Sequence, residues 1–188
     1  LTAARHGEGL GSHMMNDLLG KLNEMGVRKI FIATSDYAEN GVPIYANAFR
    51  LYEEFGANIE LKIPDYHSPG ETKIIYGLAN PEYPDTAPAY RDPPQGVRFT
   101  GTDLAPEATG TFGITWAEAP DGVSGLSEAT AAARAKGGHL AVLALPSDLS
   151  DLAQDQLLAD GYAEQGQLTD FYAKGLHQVW WSRNLKNQ

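Results

Sequence analysis

The sequence contains no cysteine. That removes disulfides, a thiol nucleophile and any cysteine-ligated metal. Positive charge is also scarce: 14 Lys and Arg stand against 24 Asp and Glu, for a formal net charge of −10. Nucleic acid and anionic membrane surfaces both require a basic patch, so neither is expected as a partner. The acidic balance suits a cationic substrate such as an amine, and it suits plain solubility equally. No apolar run approaches the roughly 20 residues of a membrane span. The N-terminus has no signal-peptide pattern, and the expected compartment is the cytoplasm. His67, His139 and His177 stand alone without ligand spacing, so no metal is expected.

What is present is an ordinary globular composition: 43% apolar and 20% charged over 188 residues, enough for one domain or two small ones. The chain is organised around its start. Gly7, Gly9 and Gly11 alternate just before an apolar run in which Met14, Met15, Leu18, Leu19, Leu22 and Met25 recur at spacings of three and four. That spacing predicts a helix over 11–25 with one buried face, closed by Gly26. A glycine-freed backbone followed by a helix N-terminus can turn its N–H groups on one phosphate. The same glycines would also suit a bare tight turn. Ser12 reads as a cap or phosphate contact, since no Gly-x-Ser-x-Gly elbow surrounds it.

Downstream, 30–33 reads as a buried strand, 35–43 as a polar loop and 44–55 as a helix closed by Gly56. Strands follow at 58–63 and 72–78 around a Pro69-Gly70 turn. Five prolines between 80 and 96 (Pro81, Pro84, Pro88, Pro93 and Pro94) erase periodicity and mark a linker. Beyond it, strands are predicted at 97–100 and 111–117, a helix at 126–136, a strand at 139–145, a helix at 151–160, and strands at 163–168 and 177–183. Trp180 and Trp181 put one ring on each face of the last strand. One belongs to the core, the other to a partner surface or a lid over a ligand.

The two halves carry the same series of elements. Asp65-Tyr66-His67-Ser68-Pro69-Gly70 lies over Asp170-Phe171-Tyr172-Ala173-Lys174-Gly175 without a gap, and Gly56 and Gly161 fall into the same register. This is read as an internal repeat.

His6-Gly7-Glu8-Gly9-Leu10-Gly11 followed by an apolar helix resembles the acyl-CoA loop of the GNAT N-acyltransferases, whose motif is Gln/Arg-x-x-Gly-x-Gly/Ala. Gly9 and Gly11 match. His6 stands where Gln or Arg is usual, with Arg5 one place early. Ala48-Phe49-Arg50-Leu51-Tyr52-Glu53-Glu54-Phe55-Gly56-Ala57 is similar to the family's Ala-x-x-Leu-Tyr-x-x-x-Gly-Phe helix, with Ala57 in place of the final Phe. The resemblance covers residues 5–78 and reaches 111–185 only through the repeat.

It implies an α/β (α+β) fold with an acyl-CoA N-acyltransferase-like mixed central sheet flanked by helices, present as two related half-copies. Residues 1–79 would be the acyl-CoA-binding half without the family's N-terminal elements, 80–96 the linker, and 97–188 a second, degenerate copy. It implies acetyl-CoA as co-substrate, held by Arg5, His6, Gly7, Glu8, Gly9, Leu10, Gly11, Ser12 and Asn47. It also implies transfer of the acetyl group to a primary amine, on a small molecule or a peptide, by direct attack. Tyr52 is the family's position for the acid that protonates the leaving thiolate; a phenol keeps its proton at neutral pH. Asp36, Glu39, Asp65 and His67 all stand on loops near predicted strand ends, and any of them could be the base.

In the second half the glycines of Gly122-Val123-Ser124-Gly125-Leu126-Ser127 are wrongly spaced, and Leu157 takes the place of Tyr52. Either the sequence is a piece of a longer one, or the hairpin 97–117 supplies the strands the first half lacks. The alternative function is a non-catalytic module of the same fold that binds coenzyme A or a protein. A dinucleotide turn is disfavoured, because G-x-G-x-G is not the G-x-G-x-x-G spacing and no acidic residue follows at the required distance. An incomplete sheet leaves an open edge, and a homodimer is one way to cover it.

Overall fold

In the computed structural model, which describes residues 9–80 and 91–186, the apolar spacing near the start becomes α1 (Leu10–Glu24). Gly9 opens it in the left-handed conformation, φ 72°. Gly26 closes it at φ 70°, with its N–H on the Asn23 carbonyl and that of Val27 on Leu22. Only part of the expected face is covered. Met15 is 7% exposed, whereas Met14 and Met25 stand at 64% and 75%. The helix lies over the sheet's edge, so the described structure packs one flank of its apolar stripe.

Nine strands form one mixed sheet: β1 (Lys29–Ser35), β4 (Asn58–Ser68), β5 (Glu71–Ala79), β6 (Gly96–Leu104), β7 (Thr111–Ala119), β8 (Gly122–Ser124), β9 (Leu140–Pro146), β10 (Ala163–Ala173) and β11 (Leu176–Asn184). Their order is β1-β5-β4-β10-β11-β9-β7-β6-β8. The β7–β9 and β6–β8 pairs are parallel; the others are antiparallel. The stretch expected as a plain loop holds a small hairpin of β2 (Ala38–Glu39) and β3 (Val42–Pro43). Asn40 and Gly41, both with positive φ, make its turn. The remaining helices are α2 (Ala46–Glu54), α3 (Leu126–Ala135) and α4 (Ser147–Ala159). α4 begins earlier than its apolar spacing indicates, because β9 runs directly into it through Pro146. Of the linker prolines, Pro81, Pro84 and Pro88 lie outside the described residues. Arg91 is tied to the second half by ion pairs to Glu118 (2.7 Å) and Asp148 (2.8 Å).

Strand alternation sorts the core. Ile74 and Tyr76 of β5 join one cluster and Ile75 another; Ala141 and Leu143 of β9 part from Leu140 and Val142 in the same way. Neighbouring residues of a strand point to opposite faces. One face therefore carries α1 and α2 over the first half and α3 and α4 over the second. The other carries a single cluster common to both halves, in which Leu61, Ile63 and Ile75 meet Ala105, Val142 and Leu168. Trp181 is buried under α4, and Trp180 packs half-buried on the shared cluster, where it lines a shallow groove with Tyr66 and Leu104.

The repeat has a geometric form. β4 and β10 meet antiparallel in the middle of the sheet, where Leu61 faces Gly166. Leu61/Gly166, Asp65/Asp170, Gly56/Gly161 and Gly70/Gly175 are all separated by the same number of residues, so equivalent positions face each other across a local two-fold axis. Asp65 (φ 58°) and Asp170 (φ 55°) adopt the same left-handed conformation. The carboxylate of each accepts the N–H of the glycine five residues on, at 2.6 and 2.8 Å. The seam is pinned by Lys29, which pairs with Glu60 at 2.6 Å and donates to the Thr169 carbonyl at 2.7 Å.

The hairpin β6–β7 does not complete the first half. β7 lies parallel beside β9, with Thr111 opposite Leu140, at the far side of the sheet from β1. The reason is the crossover: β7 leads through α3 into β9, and such a unit lays its two strands side by side. Gly125 makes that crossover possible. It opens α3 at φ 81°, and a Cβ there would come within 2.2 Å of the Phe99 carbonyl oxygen. Gly125→Ala is expected to cost more than about 1 kcal/mol, read as a lower urea midpoint. An unchanged midpoint would remove this account of the turn.

Candidate functional site

A cavity of about 380 Å³ opens where β1 ends at Ser35. It collects side chains from four places: Tyr45 and Tyr52 from α2 and the turn before it, His67 from β4, Glu71 and Lys73 from β5, and Glu107 from the β6–β7 turn. A larger hollow of about 550 Å³ lies between α1 and the C-terminal end of α2, and its lining carries no titratable group. Chemistry therefore favours the smaller one.

Tyr52 sits on the face of α2 that packs against β5. Its ring meets that of Tyr76 edge-on, centroids 5.5 Å apart. Tyr76 donates to Glu53 at 3.2 Å, whereas the Tyr52 hydroxyl has no partner among the described residues. Gly11 ties this helix to the start of α1: a Cβ at Gly11 would meet Leu51 Cδ2 at 3.2 Å. One glycine of the opening motif thus serves helix packing. Gly9 caps α1, and Leu10, Gly11 and Ser12 form its first turn. Their N–H groups have no carbonyl ahead of them in the helix, and no acidic residue occupies that turn. An anion fits there. Arg5, His6, Gly7 and Glu8 lie outside the described residues. Asn47 is exposed on the first turn of α2 and does not line the cavity.

His67 is the feature that periodicity could not single out. Its Nδ1 lies 3.1 Å from the backbone carbonyl of Glu107. A carbonyl only accepts, so Nδ1 carries the proton of the neutral ring. Nε2 is then a lone pair, and it is buried without a partner among the described residues. Of the other candidate bases, two are engaged by backbone N–H groups and the third stands in solvent. Asp36 accepts the N–H of Thr72 at 2.6 Å and Asp65 that of Gly70 at 2.6 Å; Glu39 is exposed on β2.

The second half holds this end of β4 in place. Three successive carbonyls, those of Asp65, Tyr66 and His67, accept from His139 Nε2 (2.7 Å), Thr111 Oγ1 (2.6 Å) and the Thr109 N–H (2.6 Å). Glu107, at φ 57°, turns the chain between these contacts. Tyr66 is 3% exposed; burial, then the Glu107 carboxylate, push its phenol above the ordinary value. Burial pushes the neighbouring Lys73 down, against the pull of Glu107.

The second half lacks the tyrosine. Leu157, at the Tyr52 position, is fully buried. β7 and β9 pair as far as Gly113 and Val142; beyond that Trp116 bridges to the Ala144 carbonyl at 2.8 Å.

No known family profile matches the chain, and no curated protein matches it. Among solved structures it is similar to a GNAT-family protein of Desulfovibrio desulfuricans, assigned as an acetyltransferase, at 29% identity and a TM-score of 0.37. That likeness covers 42% of this chain and 46% of the other, less than half of the relative's length. It is also similar to yncA of Salmonella typhimurium, likewise assigned as an acetyltransferase and solved with its cofactor acetyl-CoA, at 12% identity and a TM-score of 0.38, covering 83% of this chain and 95% of that one.

Proposed function

We propose that the chain transfers an acetyl group from acetyl-CoA to a primary amine in the cavity at the end of β1. The observation that carries this reading is that one cavity is lined by two side chains, Tyr52 and His67, whose hydroxyl and Nε2 have no partner among the described residues. They belong to a half whose glycine turn and tyrosine helix follow the GNAT pattern in order. In this reading residues 1–79 carry the chemistry and 97–188 support it.

Acetyl-CoA, when bound, supplies an activated acyl carbonyl. The N–H groups of Gly9, Leu10, Gly11 and Ser12 offer its pyrophosphate a cradle at the start of α1; Arg5, His6, Gly7, Glu8 and Asn47 are further contacts that the resemblance implies. His67 Nε2 takes the proton that must leave the acceptor amine. Tyr52 gives its proton to the departing sulfur. Overall an ammonium and a thioester become an amide, a thiol and one proton.

Tyr52→Phe is expected to lower kcat at least about tenfold and to change the Kd for acetyl-CoA less than about twofold. Equal losses in both would end the acid role. A second reading, a coenzyme- or protein-binding module without catalysis, is favoured by the loss of the motif residues from the second half, where Leu157 stands in the place of Tyr52. Thermal shifts and turnover separate them in two steps. Stabilisation by acetyl-CoA and coenzyme A but not NAD supports a coenzyme site in either form. Release of free coenzyme A in the presence of an amine then distinguishes the transferase from the coenzyme-binding module. No shift with any of the three leaves the protein-binding module.

A further inference from the structure

We infer that Thr111, in the second half, is a positioning residue for His67: through the β6–β7 turn it decides which nitrogen of the ring carries the proton. The consequence for rate rests on the acyl-transfer reading; the state of the ring does not.

A neutral imidazole holds its proton on either nitrogen, and the hydrogen bond made by one nitrogen selects the tautomer. For His67 the selecting group is the Glu107 carbonyl, 3.1 Å from Nδ1. That carbonyl lies in a turn of the other half, at a residue whose φ of 57° an L side chain seldom adopts. Such a conformation persists where the contacts around it over-determine it. Two backbone bonds grip the turn: Ala105 N–H donates to the Thr111 carbonyl at 2.8 Å, and Thr109 N–H to the His67 carbonyl at 2.6 Å.

β4 gives up part of its own ladder to take part. Its pairing with β5 skips from Ile63 to Ser68. A regular strand sends successive carbonyls to opposite sides, and Asp65, at φ 58°, breaks that alternation. The carbonyls of Asp65, Tyr66 and His67 then all take donors from the second half. Thr111 supplies the middle one, its hydroxyl 2.6 Å from the Tyr66 carbonyl. It is 0% exposed, so no water can take over the bond. Thr111 thus ties the residue before His67 to the strand that leaves the turn.

The local two-fold axis supplies a comparison. In the mate segment, Lys29 and Arg28 of the first half donate to the carbonyls of Thr169 and Asp170. The strut from His139 to Asp65 therefore has a counterpart at Asp170. The cover over the next two residues differs. Phe171 and Tyr172 stand where Tyr66 and His67 do, and they are 37% and 42% exposed, whereas Tyr66 is 3% exposed and His67 half-buried. The strut is common to both copies; the close grip is found on the copy that carries the site.

The test reads the ring directly. Two-bond 1H–15N correlation spectra of 15N-labelled protein, at a pH where imidazoles are neutral, should show His67 as one tautomer protonated at Nδ1. Thr111→Val keeps the shape and removes the donor. It is expected to show both tautomers and to lower kcat for acyl transfer about tenfold, with KM for acetyl-CoA within about twofold. Thr111→Ser, which keeps the hydroxyl, should retain the parental spectrum and rate. Arg28→Met, at the shared strut, should lower the thermal midpoint and leave spectrum and rate unchanged. If Thr111→Val does not fold, Glu107→Val takes its place: a β-branched residue resists a positive φ and moves the turn without touching the buried hydroxyl. It should mix the tautomers, whereas Glu107→Gly, at ease with that φ, should keep one. The inference is overturned by a parental ring protonated at Nε2, by a single parental tautomer in the folded valine variant, or by a serine variant as impaired as the valine one. Mixed tautomers with unchanged kcat uphold it and end the base role of His67. A parent that transfers no acetyl group ends the acyl-transfer reading, and the spectra still decide this inference.

Discussion

Replacing His67 by alanine is expected to lower kcat for acyl transfer about a hundredfold or more, with the affinity for acetyl-CoA within about twofold of the parent. The size follows from the state of the ring. Nδ1 is committed to the Glu107 carbonyl, and Nε2 is the one unpartnered buried side-chain nitrogen among the described residues. Alanine removes both functions, so a loss could also come from a displaced Glu107. His67→Gln separates them, because an amide can still donate to that carbonyl but cannot accept the acceptor's proton. Both variants should be equally slow, and added imidazole should restore part of the alanine variant's rate. A glutamine variant near parental kcat would reduce His67 to a structural strut.

The largest expected loss of stability comes from Trp181→Ala, about 3–5 kcal/mol. The ring is 1% exposed and belongs to the cluster that joins β7, β9 and β11 to α3 and α4. Its indole N–H donates to Ser150 Oγ at 2.9 Å, and Ser150 is itself buried. Truncation opens a cavity and leaves a buried hydroxyl without its donor, and both terms are unfavourable. Urea denaturation gives the number. A loss below about 1.5 kcal/mol would mean that the surrounding core collapses onto the gap. The turn that carries Glu107 packs through Ala105 and Ala108 on the other cluster, so acyl transfer by the fraction that stays folded should be little changed.

Most elements were legible in the sequence because period and punctuation agreed. Gly26 and Gly56 ended helices where the apolar spacing stopped. What failed to show was tertiary. Met14 and Met25 have the spacing of a buried face, yet spacing cannot say how much of a helix its neighbours cover. The strand 58–63 runs on to Ser68 because Asp65 takes a left-handed conformation and the ladder resumes beyond it. No local pattern requires that. The hairpin β6–β7 could have joined either half, and a crossover decided which. Of the site, Tyr52 carried a motif, whereas His67 was one of four candidates. Its distinction is a hydrogen bond to Glu107, 40 residues away, and such a contact leaves no mark on periodicity.

The meeting of Leu61 with Gly166 bears on how two copies in one chain can come to differ. Equivalent strands facing each other across an axis form an isologous contact, the arrangement that two identical subunits use when they associate. In separate subunits any change on one side is imposed on the other. On a single chain the copies are free to diverge, and they have: one keeps a tyrosine, the other fills the same place with Leu157. The tether also holds the supporting copy at a high effective concentration. The wall that Glu107 brings to the cavity therefore stays in place however dilute the protein becomes.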